Sequence, residues 1–124
     1  MRLAYDAALA QRIYAGADLF LMPSRYEPCG LGQLIALAYG TVPLVRATGG
    51  LADTIREGEN GFVFTDYVPS ALLDSIKRAL AAFADGDTWA GLVRRAFASR
   101  YPWSRSAERY IELFGKTLTK RLRG

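Results

Sequence analysis

The sequence predicts an α/β fold built on a partial doubly wound parallel sheet of about three strands with flanking helices. Short, almost wholly apolar runs alternate with stretches of helical periodicity, the pattern of strand–helix–strand units. Glycine-containing loops follow the first two apolar runs. The 124 residues are 51% hydrophobic and 12% aromatic, which supplies enough apolar material for the core of one domain.

The predicted elements alternate along the first half of the chain: a helix over 6–15, a strand over 19–22, a helix over 31–39, a strand over 42–45, a short helical turn near 51–55 and a strand over 62–64. Asp6 is expected to cap the first helix, and Gly40 to end the second. The unbroken apolar character of the first strand is typical of a parallel strand covered on both faces. Pro43 indicates a strand start or an edge position.

Three predicted helices close the chain. The first opens at Pro69, Asp87 with Thr88 caps the second, and the third starts at Ser104 or Ser106. Their apolar stripes are Leu72, Leu73, Ile76, Leu80 and Phe83; Trp89, Leu92, Val93, Ala96 and Phe97; and Ala107, Tyr110, Ile111 and Phe114. We therefore expect the following aromatic residues to lie in the core: Trp89, Phe97 and Trp103.

Composition excludes several classes of function. The chain has no histidine and a single cysteine, Cys29, so histidine-dependent triads, cysteine-rich metal sites and an internal disulfide are excluded. We expect neither a metal nor a cofactor. No apolar run approaches the ~20 residues that span a bilayer. Residues 1–6 lack the layout of a signal peptide, so we expect a cytoplasmic protein with no membrane partner.

The net charge is +4, and much of the excess lies in four C-terminal residues, Lys116, Lys120, Arg121 and Arg123. A basic tail can attract nucleic acid. The alternative is a solvated helix end, where cations complement the helix dipole. Because no aromatic residues are interleaved with these charges, we do not expect nucleic acid as a partner.

The loop between the first strand and the second helix is the strongest candidate site. It holds one carboxylate, Glu27, and has glycines where the helix begins, Gly30 and Gly32. Such a junction directs backbone N–H groups and the positive end of a helix at a ligand above the strand end. A carboxylate is a strong acceptor for hydroxyl groups. The combination suits a ligand that carries both phosphate and hydroxyls, such as a nucleotide sugar.

Each candidate residue also has a purely structural interpretation. Glu27 could instead cap the following helix or pair with Arg25, and Tyr26 could pack on the protein instead of stacking on a base or sugar. Cys29 has no histidine to activate it, so we expect a small packed side chain and not a nucleophile. The second glycine loop, residues 48–50, either faces the same crevice or forms a tight turn with unusual backbone angles.

Three segments resemble the C-terminal domain of bacterial glycogen synthases and plant starch synthases: Ser24-Arg-Tyr-Glu-Pro-Cys-Gly-Leu31, Tyr39-Gly-Thr-Val-Pro-Leu-Val-Arg46 and Thr48-Gly-Gly-Leu-Ala-Asp-Thr54. The resemblance runs from Arg2 to about Leu118, nearly the whole chain. Its Glu-Pro-Cys-Gly-Leu string is highly specific within retaining glucosyltransferases. Much of the wider group has a second Glu eight residues after the first. Ile35 stands there in this chain, a departure that the glycogen synthase branch shares.

The resemblance implies that residues 1–124 are the second half of a Rossmann-like, GT-B C-terminal domain, with residues 65–124 as a helical closing segment. It implies a hexosyltransferase that moves glucose from ADP-glucose, or UDP-glucose, to the non-reducing end of an α-1,4-glucan with retention. In the family, the residue matching Glu27 contacts hydroxyls of the donor glucose. The resemblance places the donor sugar and distal phosphate close to the backbone amides of Cys29, Gly30 and Leu31. Thr48, Gly49 and Gly50, at the end of the second strand, are further candidates for donor contacts, and Tyr26 is a candidate nucleotide contact.

Two parts of the family's machinery have no match in this chain. They are the acceptor domain and the strands whose Arg and Lys hold the donor diphosphate. We therefore expect the chain alone to be inactive. The alternative is a non-catalytic α/β module that binds nucleotide weakly, or that forms a homodimer through an exposed sheet edge.

Overall fold

The computed structural model describes residues 6–122, which form three strands and six helices. In chain order these are α1 (Ala7–Gly16), β1 (Leu19–Met22), α2 (Gly32–Tyr39), β2 (Val42–Arg46), α3 (Gly49–Thr54), β3 (Phe62–Phe64), α4 (Pro69–Ala84), α5 (Gly86–Ala98) and α6 (Trp103–Leu122). Residues 1–5, including Arg2 where the resemblance begins, and Arg123 of the basic tail lie outside the described residues.

The three strands form one parallel sheet in the order β1-β2-β3. Leu19 of β1 lies opposite Val42 of β2, and Leu44 of β2 lies opposite Phe62 of β3. The predicted α/β class, with a three-stranded parallel sheet and flanking helices, is confirmed. Because the strands are parallel, their carboxyl ends meet at one edge of the sheet, where open α/β folds bind ligands.

Helices cover both faces of β2, as a doubly wound sheet requires. One buried cluster joins the sheet to α4 and α5: Val42, Leu44, Phe62, Phe64, Ala79 and Leu92. A second cluster, on the other face, joins it to α2, α3 and α5: Leu37, Val45, Leu51, Ile55 and Ala96. Full burial of a large aliphatic or aromatic side chain is worth roughly 1.5–3 kcal/mol. The central strand is therefore the fixed body from which the loops at the carboxyl edge extend.

β1 does not fit the prediction of a strand covered on both faces. In the described part of the chain it pairs with β2 alone, and Leu21 is 46% exposed. The covered strand is β2, so Pro43 does not lie at a sheet edge. The Val42 N–H donates to the backbone carbonyl of Asp18, on the β1 side. Because successive residues of a strand direct their N–H groups to opposite sides, the nitrogen of Pro43 faces β3. Pairing with β3 begins only at Leu44, and the missing N–H therefore interrupts no ladder bond.

Of the five predicted helix ends, three are confirmed, including the start of α4 at Pro69, and two are wrong, including the start of α6, which is Trp103 and neither Ser104 nor Ser106. Asp6 caps α1 by accepting from the Leu9 N–H at 3.0 Å, and Gly40 ends α2 with a left-handed φ of 77°. The cap of α5, however, is Asp85, two residues before the predicted pair. Its hydrogen bonds with the Thr88 hydroxyl and N–H, and with the Asp87 N–H, lower the pKa of Asp85.

The apolar stripes of α4 and α5 are only partly buried. α4 faces the core through a set shifted from the predicted one, namely Leu72, Ser75, Ile76 and Ala79. About half of each of the remaining large predicted side chains is exposed: Leu73, Leu80 and Phe83. In α5, Leu92 and Ala96 are buried and Trp89 packs against the core, whereas Phe97 is 49% exposed. The prediction of Phe97 as a core residue is therefore wrong.

α6 begins at Trp103 and packs little of its surface. Trp103 is 86% exposed, so its predicted place in the core is also wrong, and the predicted stripe around Tyr110 and Phe114 is exposed as well. Lys120 and Arg121 lie in the last turn, where their charge complements the helix dipole. Within residues 6–122, no helix combines the length and the apolar character that crossing a membrane requires.

Candidate functional site

Two loops meet at the carboxyl edge of the sheet. We call residues 23–31, between β1 and α2, the glutamate loop, and residues 47–50, which lead from β2 into α3, the glycine loop. The Gly50 N–H donates to the carbonyl of Glu27 at 3.1 Å and shares this bond with the carbonyl of Pro28 at 3.2 Å. The fold thus brings together the two groups of candidate site residues, one in each loop, that were predicted separately from the sequence.

The contact between these loops requires glycine at two positions. A Cβ added to Gly49 would lie 2.0 Å from the carbonyl oxygen of Glu27, and one added to Gly50 would lie 2.0 Å from that of Cys29. Gly49 also has a left-handed φ of 46°. A side chain at either position would hold the two loops apart, so this glycine pair lets their backbones come into contact. The positive φ of Gly49 agrees with the predicted tight turn with unusual backbone angles.

Gln33 braces both loops from α2, a role that no motif or spacing in the sequence indicates. Its side chain is fully buried, and its Nε2 donates to the carbonyls of Cys29 at 3.1 Å and Gly30 at 3.0 Å. Nε2 also lies 3.4 Å from the hydroxyl of Thr54, which itself donates to the Gly50 carbonyl at 2.7 Å. One buried amide thereby connects the end of the glutamate loop to the start of α3.

The Glu27 carboxylate has no partner among the residues that the structure describes. Neither structural alternative is observed: α2 has no side-chain cap, and Glu27 forms no ion pair with Arg25. Its side chain is partly buried and makes no hydrogen bond to any residue in the range 6–122. A partly buried carboxylate without a partner is available to accept hydrogen bonds from a ligand.

Backbone amides without a hydrogen-bond acceptor among the described residues follow Glu27 within four residues of the chain. The backbone N–H groups of Cys29, Gly30 and Leu31 donate to no acceptor within the described residues. Gly30 takes a left-handed φ of 71°, and the amides precede the first turn of α2, whose dipole favours an anion. The Gly50 N–H, by contrast, is taken up by the contact between the loops. The chemistry available here is one carboxylate acceptor beside several backbone donors.

Two further candidate side chains are exposed. Tyr26 is 72% exposed, so its ring does not pack into the protein. Cys29 is also exposed, and the expectation of a packed cysteine is wrong. The error arises because the side chain of a loop residue follows the local turn. Here that turn presents the Cys29 carbonyl to the side-chain amide of Gln33.

Arg46, at the end of β2, is a second residue that sequence reasoning missed. Its guanidinium donates to the backbone carbonyls of Ser24, Arg25 and Thr65. Its Cζ lies 5.4 Å from the centre of the Tyr67 ring. The sequence signal was weak, since a single arginine at a strand end has many other uses.

The same edge offers an apolar recess. A cavity of about 330 Å³ is lined by Pro23, Phe64, Tyr67, Val68, Pro69 and Leu72. Its walls suit an apolar or aromatic group and not a phosphate. Across residues 6–122, no group of three or more His, Cys, Asp or Glu side chains is placed to hold a metal ion.

The chain is similar to known glycosyl transferases. A family model described as glycosyl transferases group 1 matches residues 7–83. The chain is 52% identical to a glycogen synthase of Moorella thermoacetica over 128 aligned residues, which cover 98% of this chain and 26% of that protein. It is 54% identical to a glycogen synthase of Anaeromyxobacter sp. (strain K), over 91% of this chain and 25% of that protein. The chain thus spans about a quarter of the length of the curated relatives it matches.

A solved structure is similar over almost the whole chain. The catalytic domain of starch synthase IV from Arabidopsis thaliana, bound to ADP and acarbose, matches with a TM-score of 0.85 and 37% sequence identity. The match covers 94% of this chain and 26% of that one. The predicted resemblance to glycogen and starch synthases is confirmed.

Proposed function

Because the chain belongs to the glycosyl transferase group 1 family, we propose that it forms the C-terminal part of the nucleotide-sugar-binding domain of a glycogen or starch synthase. The reaction transfers glucose from a nucleotide diphosphate sugar to the non-reducing end of an α-1,4-glucan with retention of configuration. The observation that carries the proposal is the partly buried Glu27 carboxylate, which has no partner among the described residues and lies beside free backbone amides.

The glutamate loop supplies the main contacts to the donor. Glu27 accepts hydrogen bonds from hydroxyls of the donor glucose and so fixes the orientation of the sugar. The amides of Cys29, Gly30 and Leu31 face the sugar and the distal phosphate at the positive end of α2. In the glycine loop, Thr48 and Gly49 complete this half-site, while Gly50 allows the loops to approach each other.

ADP-glucose is the donor that we favour over UDP-glucose. The starch synthase with the same fold is bound to ADP. The exposed ring of Tyr26 is available to stack on the nucleoside or the sugar.

Catalysis in this scheme depends on positioning and on stabilising charge. The diphosphate leaves from the face of the sugar that the acceptor attacks, and it helps to deprotonate the acceptor hydroxyl. Glu27 holds the glucose in the reactive orientation, and the free amides stabilise the charge that develops on the leaving phosphate. No step requires a metal ion, a thiol or a histidine.

The 124-residue chain alone is expected to bind donor without turning it over. It spans about a quarter of the length of its glycogen synthase relatives. In this proposal, the acceptor site and the basic side chains that bind the donor diphosphate belong to the remaining part of the enzyme. Residues 65–124 serve as the helical closing segment of the domain, and the cytoplasm is the proposed location. A measurable rate of glucose transfer by the purified chain would contradict the prediction that the chain alone does not turn over the donor.

The proposed donor site is tested by calorimetric titration with ADP-glucose and ADP. Glu27→Gln removes the charge and keeps the shape, so we expect it to weaken ADP-glucose binding by about tenfold and ADP binding much less. Glu112→Gln, an exposed carboxylate on α6, is the matched control and should change neither affinity. Equal affinities of wild type and Glu27→Gln for ADP-glucose would show that Glu27 does not contact the sugar.

A second candidate function is assembly into a homodimer. It is favoured by the free edge of β1, which pairs with β2 alone in the described part of the chain and leaves Leu21 46% exposed. Exposed strand edges are templates for pairing with another chain. Sedimentation equilibrium distinguishes the two cases, because a monomer mass at high protein concentration would exclude assembly through this edge.

A further inference from the structure

Arg46 connects the segments that follow β1 and β3 from the end of the strand between them. Its Nε donates to the Ser24 carbonyl at 3.0 Å, its Nη2 donates to the Arg25 carbonyl, and its Nη1 donates to the Thr65 carbonyl at 3.3 Å. Ser24 and Arg25 belong to the glutamate loop, whereas Thr65 directly follows β3. One guanidinium therefore ties the glutamate loop to the other side of the sheet edge.

The guanidinium of Arg46 contacts carbonyl dipoles and an aromatic ring. Its Cζ lies 5.4 Å from the centre of the Tyr67 ring, within the range of a cation–π contact. No carboxylate of the described residues lies within ion-pair distance. A planar fork of N–H donors can serve three carbonyls in fixed directions, which a compact lysine ammonium cannot do. The arrangement therefore depends on guanidinium geometry and not on positive charge alone.

Arg46 and Gln33 hold opposite ends of the glutamate loop. Arg46 binds the carbonyls of residues 24 and 25, and Gln33 binds those of residues 29 and 30. Glu27 lies midway between these anchors, and its own carbonyl accepts from Gly50. The backbone that carries the Glu27 carboxylate is thus fixed on both sides and at its centre.

We propose that Arg46 is a positioning residue for the donor sugar. By holding the Ser24 and Arg25 carbonyls, it sets the entry of the glutamate loop and so the direction in which Glu27 presents its carboxylate to the glucose hydroxyls. Arg46 acts through the loop and touches no ligand. This inference rests on the proposed function, because it takes the sugar to be the partner of Glu27.

The test compares Arg46→Met and Arg46→Lys with the control Arg94→Met. Arg94 is exposed on α5 and makes no side-chain hydrogen bond within residues 6–122. Titration of the full chain with ADP-glucose and with ADP separates the sugar contribution from the nucleotide contribution. We expect Arg46→Met to weaken ADP-glucose binding about tenfold and ADP binding less than about twofold, with Arg46→Lys in between and Arg94→Met unchanged.

A second measurement requires no ligand. In amide spectra of the free protein, Arg46→Met should shift residues 24–27 and 65–67, and millimolar guanidinium should restore these positions in Arg46→Ala but do nothing to Arg94→Ala. A role confined to stability would weaken ADP and ADP-glucose binding equally, and that result would overturn the proposal. So would unchanged loop amides in Arg46→Met, or in Arg46→Lys if the methionine variant does not fold.

The two proposals fail in different ways. If the wild-type chain binds neither ligand, the proposed donor half-site is wrong and the sugar role of Arg46 falls with it. The spectra of the free chain still decide whether Arg46 fixes the glutamate loop. If wild type prefers ADP-glucose over ADP and Arg46→Met keeps that preference, the proposed function stands and only the role of Arg46 is refuted.

Discussion

The two loops at the carboxyl edge and the helix α6 differ in how completely the fold holds them. The glutamate and glycine loops are fixed by backbone contact, by the buried amide of Gln33 and by the guanidinium of Arg46. The sequence of α6 is regularly amphipathic, yet its Trp103, Tyr110 and Phe114 are largely exposed. Apolar periodicity indicates which face of an element can be buried, whereas polar contacts of known geometry indicate which parts are already assembled.

The largest expected effect is on the contact between the two loops. Gly50→Ala places a Cβ 2.0 Å from the Cys29 carbonyl oxygen, so the loops must separate and the Gly50 N–H must leave its two acceptors. We expect a loss of about 3 kcal/mol in unfolding free energy, measured by urea denaturation.

The matched control is Gly115→Ala on α6. A Cβ there meets no atom within 4 Å, and alanine favours a helix interior over glycine by up to about 1 kcal/mol. The two alanine substitutions should therefore have opposite signs. Equal stability of Gly50→Ala and wild type would contradict the described contact.

A smaller effect is expected at Gln33. Gln33→Leu keeps the volume of the side chain but leaves the carbonyls of Cys29 and Gly30 without their donor in a buried place. The expected loss of unfolding free energy is about 2 kcal/mol. Gln11→Leu removes only an exposed acceptor of the Tyr39 hydroxyl and should change stability by less than about 0.5 kcal/mol. Similar losses in both variants would mean that Gln33 is not a brace.

The smallest effect on stability is expected at Asp85, the N-cap of α5. Because its hydrogen bonds to Thr88 lower its pKa below 3.8, the carboxylate stabilises the fold above that pH. This contribution is lost as the pH falls through the lowered value. Thermal melts of Asp85→Asn and wild type should therefore differ at neutral pH and converge in strong acid. A difference that persists or grows in acid would refute the cap as its source.

Much of the fold could be predicted from the sequence because local signals and tertiary contacts agree in its first half. The three strands, the Asp6 cap and the end of α2 at Gly40 all follow from short-range chemistry. The parallel arrangement then places the glutamate loop and the glycine loop at one edge. The candidate site was therefore predictable as a location.

The details that sequence reasoning missed depend on neighbours far along the chain. Whether β1 is covered depends on what lies beside it, which its own apolar run does not encode. Gln33 and Arg46 look like ordinary polar residues until the fold brings carbonyls 3.0 Å from their nitrogen atoms. Trp103 fits an amphipathic helix, but helical spacing does not say whether a partner surface is present.

The most direct test of the account maps ligand-induced amide shifts over the whole described chain. Titration of the wild-type protein with ADP-glucose should produce saturable amide shifts at residues 26, 27, 29–31 and 48–50, and no comparable shifts along α6. That result would show that the assembled edge is the ligand site and that α6 takes no part in it. Shifts confined to α6, or no saturable shift in either loop, would contradict the assignment of this edge as a donor half-site.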